Sequence, residues 1–366
     1  MRDLLLGCQP LDLDLAVDGL LDDLALRLGG TPEIHDRFGT ATVTGDGLRY
    51  DIAQTRAERY ATPGALPEVR PAPIGEDLRR RDFTVNAMAL GLTGPQAGEL
   101  VTVDGALADL DARRIAVLHE QSFTDDPTRL LRMARYAARL QFEIAPHTRE
   151  LAEAAISAGA LDTVSGTRIG NELRLLATES DPVTAMSALA ALGLDQAIDA
   201  TLSFGPDRQT LAREALTHLP ADGRPDLLVL GVSLLGTGRE SAAALLERLE
   251  FSAGDRDAIL DVATRSAGLA ETLTSAETGS AIARAVGGVG VATVALAATH
   301  GPSLQPQRWL NALRYLKLQI TGDDLIAQGV PEGPELGRRL QAARDAMWDG
   351  EAPDRESQLA VALAAQ

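Results

Sequence analysis

Asp12-Leu13-Asp14 is the pattern in this sequence best suited to chemistry. It lies within Leu11-Asp-Leu-Asp-Leu-Ala-Val17, where apolar and polar residues alternate as they do in a half-buried strand. Period two puts both carboxylates on one face, their Cβ atoms roughly 7 Å apart, and turns Leu13 to the other face. Two carboxylates so placed can together hold Mg²⁺ ions that bridge a triphosphate and an attacking hydroxyl. In such phosphoryl transfer the protein mostly positions the reactants. Taken alone, the same pattern also describes a solvated strand face. A second pattern follows from Thr128 onward, where Arg129, Arg132, Arg135 and Arg139 form one helical stripe. Leu130, Met133, Ala137 and Leu140 form an apolar stripe beside it. Such a face suits RNA phosphates, with salt-dependent binding, and equally suits a plain amphipathic helix with a solvated edge.

The elements that must position these groups are of two kinds. Residues 1–95 read as α/β. After the first strand, 17–28 reads as a helix ended by Gly29-Gly30, and 38–44 with 48–53 reads as a hairpin around Gly45-Asp-Gly47. Residues 60–73 carry four prolines and read as a surface loop, and 101–118 as a short mixed connector. From about Asp126 the pattern is helical almost to the end, broken at Gly- or Pro-rich points such as Asp181-Pro182, Gly205-Pro206 and Gly301-Pro302. The expected architecture is a small α/β head followed by a long, curved helical body.

Two strings give the head a family resemblance. Arg2-Asp-Leu-Leu-Leu-Gly7 followed by Asp12-Leu-Asp14, together with Arg80-Arg-Asp-Phe-Thr-Val-Asn-Ala-Met-Ala89, resembles the signature of class II nucleotidyltransferases of the polymerase-β superfamily, the CCA-adding enzymes and poly(A) polymerases. Asp125-Asp-Pro-Thr-Arg129 with Arg132 resembles that family's base-selecting motif, with Asp125 where the family has Glu. Thr321 to Gly329 and Pro331 to Gly337 resemble its C-terminal segment.

The resemblance implies an α+β fold: a mixed-sheet head over 1–118, a helical neck over 119–180 and a helical body and tail over 181–366 that binds tRNA. It implies that Asp12 and Asp14 are the catalytic, Mg²⁺-holding carboxylates, with Asp51 a third candidate. Arg2, Arg80, Arg81, Asp82, Asn86, Asp126, Arg129 and Arg132 would bind the nucleotide. Within that set Arg80 and Arg81 suit phosphate and ribose oxygens, and Asp82 suits the ribose hydroxyls. Asp126 and Arg129 would read the base, and Arg135 and Arg139 would meet RNA. The implied reaction adds C and A from CTP and ATP to the 3′ end of tRNA with release of pyrophosphate. A-adding, CC-adding and poly(A)-adding subtypes share these motifs. Family members also carry a strand and a Gly-Gly turn just before the Arg-Asp pair, and Met1 stands here where they have Val. One expectation is therefore an upstream start. Its counterpart is an RNA-binding remnant that transfers nothing.

Composition sets outer limits. One Cys excludes a disulfide framework and a multi-Cys metal site, so a reducing cytoplasm is expected. A net charge of −18 argues against a generic nucleic-acid binder. Phosphate contacts are local, however, and 113–149 holds seven Arg against four acidic residues. The five His show no metal-ligand spacing.

Overall fold

The computed structural model of the chain describes residues 1–9, 13–18, 31–35, 40–45 and 48–365. Asp12, and the expected 17–28 helix beyond Asp18, lie outside the described residues. The described chain divides into two compact units, 1–172 with 191–198, and 173–190 with 199–366.

The first unit opens on a short helix, Arg2–Leu5, and a four-stranded mixed sheet. Its strands are β1 (Leu13–Val17), β2 (Thr31–His35), β3 (Thr40–Gly45) and β4 (Leu48–Gln54), in the order β1-β4-β3-β2. β1 runs parallel to β4, and the other two pairings are antiparallel. The alternation read in the sequence sorts the faces: Ala41 and Ile52 are buried, with Leu15, Val17 and Tyr50 packed against them. β2 went unread, because Thr-Pro-Glu-Ile-His offers a single large aliphatic side chain and a proline.

The four-proline stretch is not simply a loop. β5 (Arg56–Arg59) and β6 (Glu68–Pro71) form an antiparallel arm with Pro71 opposite Arg56. A two-stranded ribbon leaves each strand an open side, which is where proline's missing N–H is tolerated. At the arm's tip Gly64 has φ +70°, and an added Cβ would lie 2.7 Å from the Thr163 carbonyl oxygen, closer still to its hydroxyl. Gly64 N–H donates to the Thr124 carbonyl at 3.3 Å, and its own carbonyl accepts from Arg168 Nη1 at 3.0 Å. Gly64→Ala is expected to cost about 1–3 kcal/mol from backbone conformation and collision together. A thermal melt that matched the native protein would refute this tight approach.

Beyond the arm come the helix Ile74–Arg79, a 3₁₀ turn over Thr84–Asn86, the ribbon β7 (Met88–Leu90) with β8 (Leu100–Thr102), the helix Ala106–Asp111 and β9 (Arg114–Ile115). The Thr128–Leu140 helix follows, and Gln141 ends it in the left-handed region at φ 55°. β10 (Glu143–Ile144) then pairs in parallel with β9. Phe83, Ile115, Phe123, Leu130, Leu131 and Met133 are buried almost completely, which fixes that helix against the segment carrying Arg80 to Asn86.

Every regular element described in the second unit is a helix. Pro206 and Pro225 occupy first helical positions, where no N–H is needed. Ser252 and Thr278 cap their helices by accepting from Asp255 N–H and Ala281 N–H. The 225–233 helix packs on the 22-residue Ala253–Thr274 helix with Gly231 against Val262. Thr321 to Gly329, which reads locally as a loop, holds a short helix over Gly322–Ile326 with a Thr321/Asp324 capping box. Among the described residues no single helix is long and apolar enough to cross a membrane.

Candidate active site

The sheet presents one face of carboxylates. Asp14 and Asp51 are in-register partners on the parallel strands β1 and β4, so their side chains emerge on the same face. Thr42 lies opposite Asp51 on β3 and donates its hydroxyl to Asp51 Oδ1 at 2.7 Å. Asp14 is exposed and Asp51 half-buried. These hard oxygen donors fit a divalent cation of the Mg²⁺ type. Among the described residues there is no group of three His, Cys, Asp or Glu that could hold a metal ion.

The second assembly centres on Asp82, only 7% exposed. Its Oδ1 accepts from Phe83 N–H and Asn86 Nδ2, both at 2.9 Å. Its Oδ2 accepts from Arg132 Nε at 2.9 Å and Nη2 at 2.6 Å. Asn86 Oδ1 in turn accepts from Arg2 Nη1 at 2.6 Å. On the far side, Arg132 Nη1 reaches Glu172 Oε1 at 3.4 Å, and Arg135 Nη2 reaches Glu172 Oε2 at 3.3 Å. The guanidiniums of Arg2, Arg132, Arg135 and Arg139 all lie within 6 Å of the Tyr136 ring centroid, between 4.8 and 5.9 Å. Burial alone would push the Asp82 carboxyl up, but Arg132 and the hydrogen bonds from Asn86, Arg132 and Phe83 hold it below the usual carboxylate range.

Arg80 and Arg81 share Asp77, which is buried. Arg80 Nη2 meets Asp77 Oδ1 at 2.8 Å and Arg80 Nη1 meets Glu58 Oε1 at 2.7 Å, so this guanidinium is held by two carboxylates. Arg81 approaches Asp77 Oδ2 at 3.3 Å and is the more open of the two, at 34% side-chain exposure.

The expected base readers lie at the start of the Arg-rich helix. Asp126, rather than Asp125, ties the helix entry: its Oδ1 accepts from Thr128 N–H at 3.1 Å, from the Thr128 hydroxyl at 2.6 Å and from Arg168 Nη2 at 2.7 Å. Arg129 is 4% exposed and donates to Ser122 Oγ at 2.8 Å and to the Arg80 carbonyl at 2.7 Å. Beside it opens a cleft of about 260 Å³ whose lining includes Glu58, Tyr60, Arg79, His119 and Asp125. Burial, then Arg129, lowers the His119 pKa. Burial and Glu58, whose Oε2 accepts from the Tyr60 hydroxyl at 3.0 Å, raise that of Tyr60.

One expectation needs correction. The stripe Arg129, Arg132, Arg135, Arg139 is not a solvated edge, because Arg129 and Arg135 are each 4% exposed and Arg135 is paired with Glu172. The helix packs on more than one side, and a guanidinium can be buried there because carboxylates and carbonyls meet it. Arg139 alone of the four is exposed. The sequence reading missed Glu58, Asp77, Arg168, Glu172 and Tyr136. Only Tyr136 carried a signal, as the aromatic residue flanked by the arginine stripe.

Comparison with known proteins bears on the family and the fold. The Poly A polymerase head domain matches residues 1–116. A CC-adding tRNA nucleotidyltransferase of Deinococcus radiodurans is 35% identical over 93% of this chain and 80% of its own length. An A-adding tRNA nucleotidyltransferase of Geobacter sulfurreducens is 33% identical over 99% of this chain, which spans only 44% of that relative's length. Among solved structures, a CCA-adding enzyme in apo form superposes with a TM-score of 0.82 at 30% identity, covering 99% of this chain and 89% of that one. The sheet-bearing head and the helical remainder define a protein of the nucleotidyltransferase class by their likeness to these relatives. Within that class, the chain belongs to the class II tRNA nucleotidyltransferase family.

Proposed function

We propose that this chain transfers nucleotidyl units from CTP and ATP to the 3′ end of tRNA and releases pyrophosphate. The observation that carries the reading is the assembly around Asp82 of residues from distant parts of the chain: Asn86 and Arg132 bond it directly, Arg2 joins through Asn86, and Glu172 joins through Arg132. Such a cradle of donors and acceptors suits a ribonucleoside triphosphate. Asp12 and Asp14, with Asp51 in register beside Asp14, would hold Mg²⁺, which would supply charge neutralisation at the phosphates. Arg81 and Arg2 add donors for phosphate and sugar oxygens, while Arg80 is spent on Glu58 and Asp77 and fixes the backbone that Arg129 grips. Asp126 offers an acceptor to an exocyclic amine and Arg129 a donor to a ring nitrogen or oxygen, a pairing that suits C and A. On this reading 1–118 performs the transfer, 119–180 selects the base and 181–366 holds the tRNA.

A second reading, addition of one base type alone, is favoured by the names of the two relatives above, A-adding and CC-adding. Labelled CTP and ATP, offered with Mg²⁺ to tRNAs ending before CCA, after C and after CC, separate the possibilities. Extension of all three substrates supports complete CCA addition, and acceptance of a single base type supports the second reading. Binding of tRNA without any transfer would overturn both.

A further inference from the structure

Asp82 has no acceptor capacity to spare. A carboxylate offers about four lone-pair sites, and all four are filled from within the protein, by Phe83 N–H and Asn86 on Oδ1 and by two nitrogens of Arg132 on Oδ2. A ribose hydroxyl can therefore donate to Asp82 only if one of these donors leaves. Phe83 N–H is fixed by the backbone. Asn86 is braced from its other end by Arg2. Arg132 is different: it sits on a long side chain at 32% exposure, and its Nη1 already points at a second carboxylate, Glu172, at 3.4 Å. Glu172 is itself only 8% exposed and anchored by Arg135, so it offers a fixed alternative site.

We propose that Arg132 occupies the ribose-hydroxyl position on Asp82 until a nucleotide arrives, and that Glu172 is the positioning residue that receives Arg132 when a 2′-hydroxyl displaces it. The inference rests on the nucleotidyl-transfer reading above and makes ribose recognition an exchange of donors rather than the filling of an open acceptor. The position of that exchange is set by the balance between two carboxylates competing for one guanidinium. Weakening Glu172 leaves Arg132 on Asp82 and penalises the 2′-hydroxyl. Replacing Arg132 by lysine, a point charge without the planar fork, leaves Oδ2 with a vacant lone pair and relieves the hydroxyl of competition.

The test measures binding of ATP and 2′-deoxy-ATP by calorimetry in Mg²⁺ buffer, alongside transfer to tRNA, for the full chain and two variants. Glu172→Gln is expected to lower the preference for ATP over 2′-deoxy-ATP by roughly two- to tenfold, the value of one net hydrogen bond. Arg132→Lys is expected to raise that preference by a similar factor. The opposite signs matter, because a merely structural role would weaken both nucleotides together and leave the ratio unchanged. An unchanged ratio in both variants, with the wild-type chain preferring ATP, overturns this exchange and leaves the transferase reading intact. A wild-type chain that binds neither nucleotide overturns both. Should Glu172→Gln melt below the assay temperature, the Arg132→Lys ratio decides alone.

Discussion

Asp14→Ala is expected to reduce nucleotide transfer by roughly 10²–10³-fold or more, the scale set by removing one preorganised group that stabilises transition-state charge, while leaving the fold intact. The two halves of this expectation have separate causes. Asp14 is exposed, on the face of β1 opposite Leu15 and Val17, which pack on the sheet core. Its removal therefore opens no cavity and strands no partner in the interior, and exposed substitutions of this kind usually change stability by about 0.5 kcal/mol or less. The loss in rate arises because hard oxygen ligands are few on this face, and the remaining described carboxylate, Asp51, is already engaged with Thr42. Single-turnover transfer and a thermal melt, run on the same preparation, test both halves. Activity within tenfold of wild type would remove Asp14 from the chemistry, and a large drop in melting temperature would mean that it is structural.

Asp82→Ala should fail in the opposite way, by destabilising the first unit. Breaking a buried ion pair from one side costs up to about 3–5 kcal/mol, and the lower end applies where the remaining charge keeps a second acidic neighbour. Here the stranded group is Arg132, which is packed with Arg2, Arg135 and Arg139 around Tyr136 and left with Glu172 as its acidic neighbour. The pH dependence follows from the direction of the Asp82 shift. Its carboxyl is held below the usual range in the folded chain, burial being outweighed by Arg132 and the surrounding hydrogen bonds. Such a group contributes stability that is fully present above its unfolded value, near pH 4, and lost as pH falls through the lower folded value. The gap between wild type and Asp82→Ala should thus be widest at neutral pH and narrow in acid. Urea unfolding at pH 7 and pH 3 measures it, and a gap independent of pH would show that Asp82 stabilises by packing alone.

The parts of this molecule that could be read in advance are those whose signal is local. Alternation in Leu11 to Val17 and the hairpin reading of the 48–53 stretch located β1 and β4, whereas the parallel register that sets Asp14 beside Asp51 came only with the structure. The string Arg80 to Ala89 stood out in advance only through its resemblance to a family motif, and the structure gathers Asp82 and Asn86 with Arg132 there. What could not be read is the identity of the groups that close each charge. Glu172 reaches Arg132 from a helix 40 positions away, and Arg168 reaches Asp126 across 42, and nothing in the intervening sequence has a period that announces either contact. The arginine stripe was misjudged for the same reason: its spacing is visible, but whether a guanidinium faces water or a buried carboxylate depends on which elements pack over it. Four prolines made 60–73 read as a surface loop, yet a two-stranded arm places lesser demands on the backbone, and β6 forms there.

The tip of that arm has a consequence for descent. The space that a side chain at position 64 would fill is already taken by Thr163, on a turn far along the chain. Two residues that share one volume are not free to vary separately. A larger residue at 64 becomes tolerable only after 163 has shrunk and the left-handed backbone has been relieved, so the shortest mutational routes run through less stable intermediates. Among homologues the two positions are expected to be inherited as a pair, and a lineage that lengthens the arm should be found to have rebuilt the 160–163 turn as well.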